Sequence, residues 1–133
     1  MNSAPEHSQN ISGLTETVIG CAFKVHNTLG FGFLESIYEK SLQIELRKLT
    51  LDAQAQAPIH VYYQGEQVGN FYADLLIDNR LIVELKSLNR LTKTHEVQLV
   101  NYLTATGIED GLLINFGPEG VEMKRKYRTH RKP

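Results

Sequence analysis

Between Leu49 and Ile59 the spacing of apolar residues changes from helical to strand-like, a switch that limits the chain to folds in which helices precede a sheet. Upstream, Leu14, Val18, Cys21, Ala22, Val25 and Leu29 recur at helical spacing, with Ser12 the expected cap and Gly30 the expected terminator. After the Gly30-Phe31-Gly32 break a second helical stripe runs through Leu34, Ile37, Tyr38, Ser41, Leu42 and Ile44 to about Leu49. Downstream, Ile59, Val61 and Tyr63 alternate with more polar neighbours, Gln64-Gly65-Glu66 marks a turn, and Val68 to Ile77 continues as a strand. Asp78-Asn79-Arg80 is a second turn before the strand LIVELKS, so an antiparallel three-stranded meander is expected. A helix from about Thr92 to Thr106, closed by Gly107, and two strands, LLINF and VEMKRKY, around Gly117-Pro118-Glu119-Gly120 complete the order ααβββαββ. The fold class is therefore α/β, a mixed sheet flanked by helices.

A length of 133 residues supports one packed core. Residues 1–11 read as a flexible leader, 12–127 as the domain and 128–133 as a basic tail. The longest apolar runs, such as Leu112-Leu113-Ile114, fall far short of a membrane span, and the polar start MNSAPEHSQN has no signal-peptide pattern, so a cytoplasmic protein is expected. Cys21, the single cysteine, reads as a core residue. The net charge of −1 conceals an asymmetry. Six of the 14 basic residues follow Met123 (Lys124, Arg125, Lys126, Arg128, Arg131 and Lys132), with none of the acidic ones. Such a segment is either a solvated terminus or a phosphate-attracting surface, and Lys124, Arg125, Lys126 and Arg128 are the candidate nucleic-acid contacts.

The chemistry is concentrated in YADLLIDNRLIVELKS. Glu84 and Lys86, two apart on a strand, share one face, while Leu81, Val83 and Leu85 point to the other and can pack under a helix. A three-residue loop, Asp78 to Arg80, pairs Ile77 with Leu81 and hence Asp74 with Glu84; a two-residue loop would place Asp74 opposite Val83. Two carboxylates about 5 Å apart repel by roughly 3 kcal/mol at an effective dielectric of 20, which favours a shared proton or a bound cation. Oxygen-only ligands suit magnesium or manganese. Lys86 beside such an ion would hold a nucleophilic water and offset charge building on phosphorus, which is phosphodiester hydrolysis.

Polar residues on two helices extend this set. Glu35 and Tyr38 lie three apart after Gly32, a glycine that permits close approach. His95, Gln98 and Tyr102 recur on one face of the later helix, opposite an apolar stripe of Val97, Val100 and Leu103. Gly32, Glu35 and Tyr38 form a G-x-x-E-x-x-Y pattern that resembles the signature of the bacterial GxxExxY proteins, within the PD-(D/E)XK nuclease superfamily. The resemblance spans about Leu14 to Tyr127 and takes in Asp74, Glu84-Leu85-Lys86 and Gln98-x-x-x-Tyr102, the last similar to the Gln-x-x-x-Tyr motif of RecB-like nucleases. Ala73 stands where the superfamily label has proline.

The resemblance implies a restriction-endonuclease-like core. It implies metal ligation by Asp74, Glu84 and the Leu85 carbonyl, and activation of water by Lys86. Glu35 would act on the metal through water, and Gln98 and Tyr102 would line the substrate cleft. The expected function is a magnesium- or manganese-dependent nuclease acting on DNA, with the Gln-x-x-x-Tyr element favouring strand ends as in an exonuclease. The alternatives are a noncatalytic nucleic-acid or protein-binding module that keeps the fold, and hydrolysis of a small phosphate ester. So small a catalytic core is expected to self-associate or to use a partner protein. His95 is a weak site candidate, and His7, His26, His60 and His130 share no ligand spacing. The Tyr62-Tyr63 and Phe71-Tyr72 pairs read as packing residues able to stack bases.

Overall fold

The computed structural model describes residues 10–129; the expected leader up to residue 9, with His7, and the tail beyond residue 129, with His130, Arg131 and Lys132, lie outside the described residues. Helix α1 spans Ile11–Leu29 and α2 spans Glu35–Lys48. Strands β1 (Ala53–Tyr63), β2 (Glu66–Ile77) and β3 (Leu81–Lys86) follow, then α3 (Lys93–Thr106), β4 (Asp110–Gly117) and β5 (Gly120–Tyr127). The five strands lie in the sheet in chain order. The pairs β1–β2, β2–β3 and β4–β5 are antiparallel, while β3–β4 is parallel because α3 forms the crossover between them. The mixed sheet and its element order are those expected from the sequence.

Helix α1 starts two residues earlier than a Ser12 cap implies: Asn10 caps it, its side chain accepting from the Gly13 N–H at 2.7 Å. The chain leaves α1 through Gly30 (φ 77°) and Gly32 (φ 110°). A Cβ on Gly32 would meet nothing within 4 Å, so positive φ, and not close approach, is what requires glycine there. The β1–β2 turn has positive φ at both Gln64 and Gly65, the geometry that matches the twist of a two-residue hairpin. Helix α3 ends as expected, on a left-handed Gly107.

Helices α1 and α2 cover one face of the sheet, where Leu14, Val18, Tyr38, Leu42 and Leu46 pack on Leu81, Val83, Leu85, Leu112 and Phe116. Cys21 is buried in this layer, as expected. Helix α3 covers the other face, with Leu99, Tyr102 and Leu103 against Ile59, Ala73, Ile82 and Leu113. Two helix stripes differ from the sequence reading. At the start of α2 and along it, Leu34, Ile37 and Ile44 are exposed and Leu46 is buried. In α3, Val97 is exposed while Leu99 and Tyr102 are buried, because the helix seats its middle on Gly111 of β4. Among the described residues no helix is long and apolar enough to cross a membrane.

Candidate active site

The site begins where β2 and β3 part. Their ladder runs Ile77–Leu81, Leu76–Ile82 and Leu75–Val83, the register that a three-residue turn demands, and the next positions along it are Asp74 and Glu84. Here side chains take over from backbone pairing. The Asp74 N–H donates to Glu84 Oε2 at 2.9 Å, and the Leu85 N–H donates to Asp74 Oδ2 at 2.8 Å. The two carboxylates are thus cross-linked to each other's strand. The N–H and C=O of one extended residue share a strand edge, so the Leu85 carbonyl faces the same split.

Asp74 also marks a kink in the sheet. Ala53 and Ala55 of β1 pack with the α1/α2 layer, but Ala57 and Ile59 pack with the α3 layer. On β2, Leu75 and Ile77 belong to the first layer and Ala73 to the second. Both strands therefore change faces at Gln56 and Asp74, and Gln56 takes up the change with a φ of 52°. The Gln56 amide donates to Glu39 Oε1 at 2.8 Å and reaches Asp74 Oδ1 at 3.4 Å, tying α2 to the carboxylate pair. Neither Glu39 nor Gln56 was expected from the sequence. The only signal was that Glu39 lies one helical turn beyond Glu35.

Electrostatics reinforce the geometry. Glu84 is only 7% exposed. Burial, then the Asp74 carboxylate, pushes its pKa up to about 8, with a smaller push from Glu35; the Asp74 N–H and the Lys86 ammonium offset part of this. Glu39 is also raised, by burial and then by Asp74 and Glu35, against the Gln56 hydrogen bond and Lys40. The Tyr102 hydroxyl is raised by burial, then by Glu84 and Asp74. Glu35, Glu39, Asp74, Glu84, Lys86 and Tyr102 thus share one electrostatic neighbourhood. Among the described residues, no three His, Cys, Asp or Glu side chains form a closed metal cage. Two cross-linked carboxylates beside an open split suit magnesium or manganese, which keep several waters and bind through one or two carboxylates plus phosphate oxygens.

Other expected residues have different surroundings. Tyr38 of the G-x-x-E-x-x-Y pattern is fully buried, stacked on Phe116 at 4.2 Å. Its hydroxyl donates to the Gly30 carbonyl and accepts from the Phe33 N–H, so it fixes the loop that presents Glu35. The His95 Nδ1 accepts from the Thr92 N–H at 3.1 Å, part of the cap of α3. His26 contacts the Gly117 carbonyl at 2.8 Å and stacks beside Phe116, a structural role. Gln98 is exposed on α3 beside Tyr102, and both line a cleft between that helix and the β1–β2 hairpin.

The four basic residues do not join this site. Lys124, Arg125 and Lys126 lie on β5, at the far side of β4 from β3. Lys126 pairs with Glu96 at 3.0 Å, Arg125 approaches Glu16 at 3.9 Å, and Arg128 pairs with Glu109. The Arg128 N–H also donates to the Glu109 carbonyl at 2.9 Å. On the α3 face, Lys93, Lys124 and Lys126 surround the single carboxylate of Glu96 and lower its pKa, the hydrogen bond from Lys126 contributing most.

No curated protein matches the sequence. In structure the chain is similar to SSO0001, with a TM-score of 0.58 and 18% identity over 72% of this chain; it spans half the length of that protein. An alkaline exonuclease from Laribacter hongkongensis aligns with a TM-score of 0.47 and 10% identity, over 86% of this chain and 82% of the other. The likeness to SSO0001 concerns the fold alone. The sequence match is of another kind, because residues 12–128 fit the description of one family from the first helix through the last strand, including both sides of the β2–β3 split. The chain belongs to the PD-(D/E)XK nuclease superfamily.

Proposed function

We propose that this protein is a magnesium- or manganese-dependent phosphodiester hydrolase of the GxxExxY type, acting on DNA and favouring strand ends. The observation that carries the proposal is the cross-linked pair Asp74 and Glu84, in which burial and mutual repulsion leave Glu84 with a pKa of about 8 unless a cation neutralises it. Oxygens of Asp74 and Glu84, with the Leu85 carbonyl, would hold the ion. When bound, it supplies the Lewis acidity that makes water a nucleophile near neutral pH. Lys86 would orient the attacking water and offset the charge that builds on the phosphoryl oxygens. Glu35 acts through water from the N-terminus of α2, and Glu39 with Gln56 positions Asp74. Gln98 and Tyr102 line the path of the substrate strand. Lys93, Lys124 and Lys126 attract its phosphates, whereas Arg125 and Arg128 serve chiefly to pair with Glu16 and Glu109.

The test is hydrolysis of end-labelled single- and double-stranded DNA with manganese. Wild-type protein cleaves, and Glu84→Ala and Lys86→Ala lower the rate by about 100-fold or more. Equal rates in wild type and both variants overturn the proposal. A wild type that binds DNA without cleaving it points instead to a noncatalytic module on the same fold.

A further inference from the structure

The cleft beside Tyr102 is not explained by hydrolysis alone. It measures about 710 Å³ and runs between the β1–β2 hairpin and α3, lined by Val61, Tyr62 and Phe71 on one side and Gln98, Asn101 and Tyr102 on the other. None of its lining residues is charged. Two local features build it. Val61 pairs with Gly69 but Tyr62 pairs with Gln67, so Val68 is an extra residue, a bulge. The neighbours Val61 and Tyr62, on the strand opposite the bulge, both line the cleft. Across the bulge, a Cβ on Gly69 would lie 3.3 Å from Phe71 Cε2, so glycine leaves the Phe71 ring room to lean back along its own strand. That ring also meets Tyr102 at 5.6 Å between centroids, although it remains 44% exposed. Tyr62 is 61% exposed.

We propose that this cleft is a subsite for an unpaired nucleobase of the substrate strand, stacked on Tyr62 and Phe71 and hydrogen-bonded by Gln98 and Asn101. The inference rests on the nuclease reading and supplies its substrate class. Four observations select this occupant. Tyr102 is both a wall of the cleft and close enough to Glu84 and Asp74 to feel their charges, so the cleft continues the active site. Exposed aromatic faces offer stacking to any base. The amides of Gln98 and Asn101 present both donors and acceptors to a base edge. The uncharged lining suits a base, not a phosphate. A base within a duplex already has both faces stacked and its pairing edge occupied, so the subsite selects single strands or frayed ends.

The experiment has a binding arm and a cleavage arm. In EDTA, the anisotropy of a labelled oligothymidine is compared with that of the same strand made abasic, for wild type, Tyr62→Ala and Phe71→Leu. Tyr62→Ala, on an exposed side chain of an edge strand, keeps the test valid where Phe71→Leu unsettles Tyr102. Wild type binds the strand with bases about tenfold more tightly than the variants do, and all three bind the abasic strand alike. With manganese, the ratio of single-strand to duplex cleavage falls about tenfold in the variants. Base-dependent binding without cleavage overturns the nuclease reading and leaves the base subsite standing. Cleavage in which Tyr62 and Phe71 make no difference, or an equal loss of affinity on the abasic strand, overturns the subsite and leaves the nuclease reading intact.

Discussion

Glu84 occupies a position in which ionisation opposes folding. Its pKa is about 8 in the folded protein against 4.5 for a free glutamate, so the folded state binds the proton more tightly than the unfolded one. In the metal-free protein the contribution of this group to stability is therefore fully present below 4.5, falls by up to about 1.4 kcal/mol per pH unit as pH rises toward 8, and falls no further beyond that. Glu84→Gln keeps an acceptor for the Asp74 N–H and removes the charge. Its Tm should match wild type near pH 4.5 and exceed it at pH 8.5 in EDTA; equal Tm values at both pH values would contradict this. Tyr38 works in the opposite sense. Tyr38→Phe removes the donor to Gly30 and should cost about 1–2 kcal/mol in urea unfolding, with slower cleavage because the Glu35 loop loosens. The place of Tyr38 in the stripe of the second helix was legible, but its hydrogen bonds to Gly30 and Phe33 were not, because an i, i+3 spacing after a glycine describes shared helical direction and not what the hydroxyl meets. Gln56 was less legible still: a polar residue in Ala-Gln-Ala-Gln-Ala announces neither a strand nor a positive φ.

Among the elements, turn parity was the informative feature. A loop of Asp78, Asn79 and Arg80 fixed the register, and register put Asp74 beside Glu84. Asp78 and Asn79 both adopt positive φ, a conformation that short polar side chains tolerate better than others. Strand β1 begins earlier than its alternation suggested, at Ala53 and not near Ile59, since its first residues are small or polar; Pro58 fits because β1 is an edge strand. The ends of α3 were readable, but the face it buries was not, because β4 sets that through Gly111. A Cβ there would sit 3.0–3.1 Å from Leu99 side-chain atoms. Gly111→Ala should therefore cost about 1–3 kcal/mol in chemical denaturation and slow cleavage by shifting the helix that carries Gln98 and Tyr102. Unchanged stability and rate would show that α3 is seated less tightly than these distances imply.

Over the whole molecule, two helices brace one side of the sheet, one helix braces the other, and the carboxylate pair lies where β2 and β3 separate between them. The charge asymmetry of the sequence does not survive as a free basic tail within the described residues: part of it is neutralised along β5 by Glu16, Glu96 and Glu109. What remains is the lysine group around Glu96. Replacing Lys93, Lys124 and Lys126 with Gln should weaken oligonucleotide binding uniformly across sequences and flatten the plot of log affinity against log salt by about 0.7 per lost phosphate contact; an unaltered slope would place the phosphate track elsewhere. Whichever strand is bound, the account depends on the acidic pair taking up a divalent ion. Calorimetric titration of manganese into the protein at pH 7.5 measures this most directly: wild type should show a saturable site that Asp74→Asn abolishes, and the absence of binding heat, or the same heat in both proteins, would contradict the account.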